Sequence, residues 1–296
     1  MANRILSIVA STAQQLMPVY NHPQEAEQTA WWLLEKLLSQ PQAILIARDT
    51  ITLTEQQQQT LNDWIHQHTH DHKPLQYILE TVPFLDITIS VEPPILIPRP
   101  ETEEWCAQLI ESYQQFTNEQ LSILDLCTGS GCIALGLAHA FKRASVTAID
   151  ISSHALELTQ KNAQLNNISN ITCIQSNMYE AIPHHNQFDS IVSNPPYISR
   201  ENWMKLDDSV RSWEDERALV ANNDGLQLIE TIIMNAHNYL KKDSIIARGG
   251  LPQLAIEIGY DQGDAVLKIM HNAGFKDAVI WKDLEGKDRV ALNKGL

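Results

Sequence analysis

The sequence predicts an α/β fold: a parallel β-sheet with helical crossovers, preceded by a small all-helical segment. Three observations predict it. From residue 121 onward, short apolar strands alternate with helices in βαβαβ order, which implies parallel strands joined by right-handed connections. The first of those strands runs into a glycine-containing turn that opens a helix. Residues 1 to about 80, by contrast, carry apolar residues at helical spacing.

In chain order, the helical part reads as three to five helices. WWLLEKLL (Trp31 to Leu38) has helical spacing, with His22-Pro23 before it and Pro41 placed to end it. In LTEQQQQTLNDWIHQHT, Thr54 is an N-cap and Leu61, Trp64 and Ile65 take the helical positions. His66, His68, His70 and His72 alternate. On a strand they would share one face and suggest a metal site; at a helix end running into a loop they are solvated, and the helical flanks favour that reading, with no metal expected. VPFLDITISVEPPILIP (82–98) alternates like a hairpin or edge strand, and Pro93, Pro94 and Pro98 bar it from the centre of a sheet. The expected division is therefore a helical domain over 1–81, a hairpin or linker over 82–98, and the α/β domain over 99–296.

Within the α/β part the predicted order is strand SILDLC, helix Cys132 to Phe141, strand SVTAID, helix Ser153 to Asn166, then strands ITCIQ and FDSIVSN. Asp224-Gly225 opens a long helix to about Leu240. A strand near Leu254 to Ile258, a helix from Asp264 to Asn272 and two closing strands, AVIWKD and RVAL, complete the chain.

Composition excludes several function classes. The chain has 296 residues, with 21 Lys and Arg against 36 Asp and Glu, for a formal charge of −15. That acidity argues against a broad nucleic-acid surface, which needs cations to displace phosphate counterions. No run approaches the ~18 apolar residues of a membrane span, and no apolar signal core stands near the N-terminus. The four cysteines (Cys106, Cys127, Cys132, Cys173) have no disulfide-framework or CxxC spacing, which fits reduced thiols and a cytoplasmic setting.

The sharpest local signal is Asp125-Leu126-Cys127-Thr128-Gly129-Ser130-Gly131-Cys132. Glycines there allow a tight turn and let a ligand approach the backbone. Asp150 ends the next strand, where an acid takes ribose hydroxyls. NAD and S-adenosylmethionine both carry a ribose, and the turn does not choose between them.

Asn194-Pro195-Pro196-Tyr197 leaves the fourth strand at its carboxyl end, the end that faces the ligand crevice in such sheets. Two prolines make a stiff turn without donors, so the Asn194 side-chain oxygen and the Pro195 carbonyl are available as acceptors for a planar NH₂ group. Tyr197 and Pro196 would wall that group. An NAD-dependent oxidoreductase has no use for this tetrapeptide.

With these residues assembled, the chain resembles class I S-adenosylmethionine-dependent methyltransferases that modify planar nitrogens. KPLQYIL (73–79), ILIPRPETEE (95–104), IEIGYDQGDAV (256–266) and KDLEGKDRV (282–290) narrow the resemblance to the release-factor glutamine methyltransferase family. The resemblance implies a Rossmann-like domain with a mostly parallel sheet and a C-terminal antiparallel strand. It implies S-adenosylmethionine as methyl donor, S-adenosylhomocysteine as product, and N5 of the glutamine in the Gly-Gly-Gln motif of peptide-chain release factors as acceptor. Cofactor contacts are expected from Cys127, Thr128, Gly129, Ser130, Gly131, Asp150, Asn177, Met178 and Asn194. Asn194 and Pro195 are the expected catalytic residues, and Asn194 to Tyr197 the substrate-binding ones. The helical domain is expected to dock the release factor, and the protein to act as a monomer without direct nucleic-acid or membrane contact.

Alternatives remain. A sibling glutamine methyltransferase acts on a large-subunit ribosomal protein, and its first motif is similar to the turn here. A nucleic-acid amino-group methyltransferase would use the same tetrapeptide but want a basic face. A non-enzymatic binding protein would not need the turn, acid and tetrapeptide intact together.

The chain also departs from the family pattern. Cys127 stands where many relatives have Gly, and fits if its backbone keeps φ negative. Asn177 replaces a common acid, Asp215 replaces a Pro in RSWEDERAL (211–219), and the 199–217 loop and the Arg248 to Leu254 region are unusually long.

Overall fold

The computed structural model describes residues 3–48, 50–185 and 187–293. Contacts divide the chain into two units: one holds the chain up to Glu80 together with Asp207–Trp213, the other Thr81–Leu206 and Glu214 onward.

The first unit is helical: α1 (Ile5–Leu16), α2 (Pro23–Leu38), α3 (Gln42–Arg48), α4 (Glu55–Thr69) and α5 (Leu75–Leu79), with a two-residue strand pair, β1 (Asn3–Arg4) and β2 (Thr50–Ile51). Val9, Leu16, Ala30, Leu33, Leu34, Leu61 and Ile65 recur at helical spacing and close its core. Pro23 opens α2, and its end is set by Ser39 in the left-handed region (φ 50°) rather than by Pro41, which precedes α3. Thr54 caps α4 as a full capping box with Gln57. The short segment Asp207–Trp213, containing α10 (Asp208–Arg211), joins this unit because Trp213 Nε1 donates to the Asp71 carbonyl (2.8 Å) and Lys73 Nζ lies over its ring.

The four histidines do not share a face. His68 lies in α4, buried, with Nδ1 donating to the Lys73 carbonyl and Nε2 accepting from Tyr20 Oη, both at 2.8 Å. His66 and His70 stack ring on ring, and His72 lies beyond the helix at φ 53°. Among the described residues no group of three or more His, Cys, Asp or Glu side chains could hold a metal ion.

The second unit begins with a hairpin, β3 (Thr81–Phe84) and β4 (Ile87–Ser90), and α6 (Pro100–Ser112). Then follow β5 (Ser122–Leu126), α7 (Cys132–Ala140), β6 (Ser145–Asp150), α8 (Ser153–Leu165), β7 (Ile171–Gln175), β8 (Ser190–Ser193), α9 (Arg200–Trp203), α11 (Gln227–Ala236), α12 (Ile245–Arg248), β9 (Leu254–Glu257), α13 (Gly263–Asn272), β10 (Ala278–Lys282) and β11 (Asp288–Asn293). The seven-stranded sheet has the order β10-β11-β9-β8-β5-β6-β7, parallel from β9 to β7, with β11 antiparallel to both neighbours. β5, β8 and β9 are almost wholly buried, as expected of strands covered on both faces.

Two elements differ from the sequence reading. The helix after Asp224-Gly225 ends at Ala236, because the Tyr239 carbonyl takes the Phe188 N–H (2.7 Å) and the Lys241 N–H goes to the Phe188 carbonyl, drawing the chain out of helical geometry. The long region before β9 holds a short helix the sequence reading did not anticipate, α12, capped by Ser244, while β9 itself starts at Leu254 as expected.

Candidate active site

The sheet register brings the predicted site residues together. Leu126, the last residue of β5, pairs with Ile149 on one side and Ser193 on the other, and Asp150 pairs with Gln175. The glycine turn, Asp150, Asn177-Met178 and Asn194 to Tyr197 therefore all emerge at the carboxyl ends of four adjacent parallel strands. Ser193 Oγ ties β8 to β5 just below this edge by donating to the Leu126 carbonyl (2.7 Å).

In the turn, the two glycines have different reasons to be glycine. Gly131 has φ +82°, and a Cβ there would lie 2.7 Å from Thr159 Cγ2, so it permits close packing of α7 on α8. Gly129 has φ +56° and nothing within 4 Å of a Cβ position, so its face is open to a ligand. Its N–H donates to Asp150 Oδ2 (2.9 Å), while Ser152 N–H reaches Oδ1 (2.9 Å). Burial raises the Asp150 pKa, and these N–H bonds and the charge of Arg217 pull it back.

Cys127 corrects the expectation of a negative φ: its backbone sits at +60°. For a side chain this costs roughly 1–2 kcal/mol. Its Sγ packs 3.9 Å from Met178 Sδ, and Met178 is itself at φ 49°. The two sulfur side chains thus meet from the connections after β5 and β7, a contact no local pattern encodes. Asn177 is exposed, with Nδ2 donating to Glu180 Oε1 (2.7 Å), which leaves its Oδ1 as an acceptor.

Asn194 is half-buried between the fully buried Ser193 and a buried Pro195-Pro196 pair. Its Nδ2 donates to Thr102 Oγ1 (3.2 Å), so its oxygen faces away from that contact. The Tyr197 hydroxyl donates to Glu257 Oε1 (3.1 Å), and its carbonyl accepts from Gln262 Nε2 (2.9 Å). Gly225 packs onto that same carbonyl so closely that a Cβ would lie 1.9 Å from it.

Several residues here were not singled out from sequence. Thr102 stands in the RPETE run and Glu257 in IEIG, both within segments that carried the family resemblance; nothing in the sequence joins two residues so far apart. Asp125 is fully buried and its carboxyl is pushed up to about 7, mainly by desolvation; Oδ2 accepts from Thr128 Oγ1 (2.6 Å), and Oδ1 has no hydrogen-bond partner among the described residues. Glu214 is buried against Arg99 (2.6 Å). Asp215, in place of the proline, donates its N–H to the Pro94 carbonyl (2.8 Å) and accepts the Arg217 N–H, so the loop is fixed by bonds proline could not make.

These features fit S-adenosylmethionine. Asp150 suits the ribose hydroxyls, the open face of Gly129 admits a ligand against the backbone, and the orphaned Asp125 oxygen suits a cationic donor.

Comparison with known proteins agrees. The family "Methyltransferase small domain" matches residues 107–208, and "PrmC N-terminal domain" matches residues 9–79. A release factor glutamine methyltransferase of Lactococcus lactis is 38% identical over 240 residues, covering 80% of this chain and 83% of the relative. One of Coxiella burnetii is 33% identical over 294 residues, covering 97% and 99%. Among solved structures, the hMettl16 catalytic domain in complex with a MAT2A 3'UTR hairpin superposes with TM-score 0.53 at 16% identity, over 83% of this chain and 84% of that one, a likeness of fold.

Proposed function

We infer the reaction from one premise: the chain belongs to the release factor glutamine methyltransferase family. It is an S-adenosylmethionine-dependent methyltransferase that methylates a glutamine side-chain nitrogen of peptide-chain release factors. The curated relatives favour this reading over the ribosomal-protein and nucleic-acid alternatives. We propose that the target is the glutamine of the Gly-Gly-Gln motif, and that the helical unit, which presents Trp32, Ile44 and Ile46 to solvent, docks the protein substrate.

The observation that carries the site reading is the set of the Asn194 amide, its nitrogen spent on Thr102. S-adenosylmethionine supplies an electrophilic methyl group on a sulfonium. A carboxamide nitrogen is a weak nucleophile, so the protein's task is alignment, worth at most ~7–11 kcal/mol. Asn194 Oδ1 and the Pro195 carbonyl accept the two amide hydrogens, and those bonds strengthen as positive charge grows on the nitrogen. Pro196 and Tyr197 hold the amide plane. The nitrogen needs no base beforehand, because its proton becomes acidic only as the new N–C bond forms and can leave to water.

Peptide mass spectrometry of release factors incubated with the protein and S-adenosylmethionine tests this. One methyl on the Gly-Gly-Gln glutamine is expected. An unmodified release factor beside a methylated ribosomal protein would reverse the substrate assignment.

A further inference from the structure

Glu257 ends β9 with 1% exposure and no direct cation partner among the described residues. Arg289 of β11 acts on it electrostatically but is hydrogen-bonded to Asp283 (2.9 Å). An unpaired carboxylate is expensive to bury. This one is held by three donors instead: Thr102 Oγ1–H (2.6 Å) and Trp105 Nε1–H (2.8 Å) on Oε2, and Tyr197 Oη–H (3.1 Å) on Oε1.

A threonine hydroxyl has one proton. Donated to Glu257, it leaves Thr102 Oγ1 as an acceptor only, and that oxygen receives Asn194 Nδ2. A reversed Asn194 amide would set two oxygen lone pairs against each other. We propose that Glu257 is the positioning residue of the tetrapeptide: through Thr102 it fixes which atom of Asn194 faces the substrate, and through Tyr197 it fixes the aromatic wall. A carboxyl group suits this task because its Oε2, which also accepts from Trp105 Nε1–H, stays an acceptor for Thr102 even as burial raises the Glu257 pKa. The inference rests on the reading that Asn194 Oδ1 receives the substrate amide.

The test is a variant series with kcat, cofactor Kd and melting temperature read on each. Thr102→Val keeps the shape and removes the hydroxyl; kcat is expected to fall roughly 10- to 100-fold, the loss of a buried hydrogen-bond partner, with cofactor Kd within about twofold. Thr102→Ser restores the hydroxyl and is expected to recover most of the rate. Glu257→Gln still offers an acceptor to Thr102 and is expected to lose less than Glu257→Leu. Thr102→Val combined with Asn194→Ala should lose little beyond Asn194→Ala alone, because both act through one amide. Full additivity in that pair would overturn the proposal, as would a Thr102→Val enzyme at wild-type kcat while Asn194→Ala is impaired. Wild-type turnover in Asn194→Ala would instead overturn the reading of Asn194 itself.

Discussion

Thr128 Oγ1 donates to Asp125 Oδ2 at 2.6 Å, and apart from a weaker pull of the Ala134 N–H this fully buried carboxyl has no other donor among the described residues. Desolvation pushes this carboxyl up to about 7. The folded protein therefore binds a proton that the unfolded chain releases near pH 4. This contribution to stability is complete below the unfolded pKa and is lost as pH rises through about 7, at up to ~1.4 kcal/mol per pH unit. Asp125→Asn should flatten that part of the stability–pH profile measured by denaturant titration.

The same residue predicts a pH dependence of cofactor binding. A cationic group set against Asp125 returns it to the ionised form, so binding releases a proton and affinity rises with pH up to about 7. The rise is at most tenfold per unit. Calorimetry in buffers of different ionisation enthalpy should detect the released proton in the wild type and none from this site in Asp125→Asn.

The two turn glycines should separate stability from binding. Gly131→Ala meets Thr159 and a left-handed backbone together, and should cost about 2–4 kcal/mol in denaturant unfolding. Gly129→Ala meets only the backbone cost, roughly 1–2 kcal/mol, but places a methyl on the open face. Its cofactor Kd should rise at least tenfold.

Asp215→Pro would install the proline that the family resemblance implies at this position. Its φ of −66° suits proline, yet the N–H to Pro94 and the cap on Arg217 are lost. A net loss of about 1 kcal/mol is expected in unfolding experiments, rather than the gain proline brings where the N–H is free.

What could be read in advance follows from how local each feature is. The strand–turn–helix at Asp125 to Cys132 and the turn at Asn194 to Tyr197 are short, continuous patterns. Their meeting at one sheet edge follows from parallel βαβ topology alone. Thr54 as a cap is equally local. The contact of Cys127 with Met178, the end of α11 at its pairing with Phe188, and the Thr102–Glu257 contact all involve segments brought together only by the fold. Such facts are tertiary, and no spacing encodes them. His68 shows the same limit: the run reads as a solvated helix end, and α4 does end there, but helical register buries that one histidine between Tyr20 and the Lys73 carbonyl.

The central claim is that Asn194 acts chiefly on the reacting amide, with only a minor share in cofactor binding and none in folding. Its most direct test is Asn194→Ala, with kcat measured on a release factor and S-adenosylmethionine Kd measured by calorimetry on the same preparation. The account predicts kcat lower by roughly 10²–10³-fold with Kd changed by no more than a few-fold. An unchanged kcat, or a loss of rate matched by an equal loss of cofactor affinity, would contradict it.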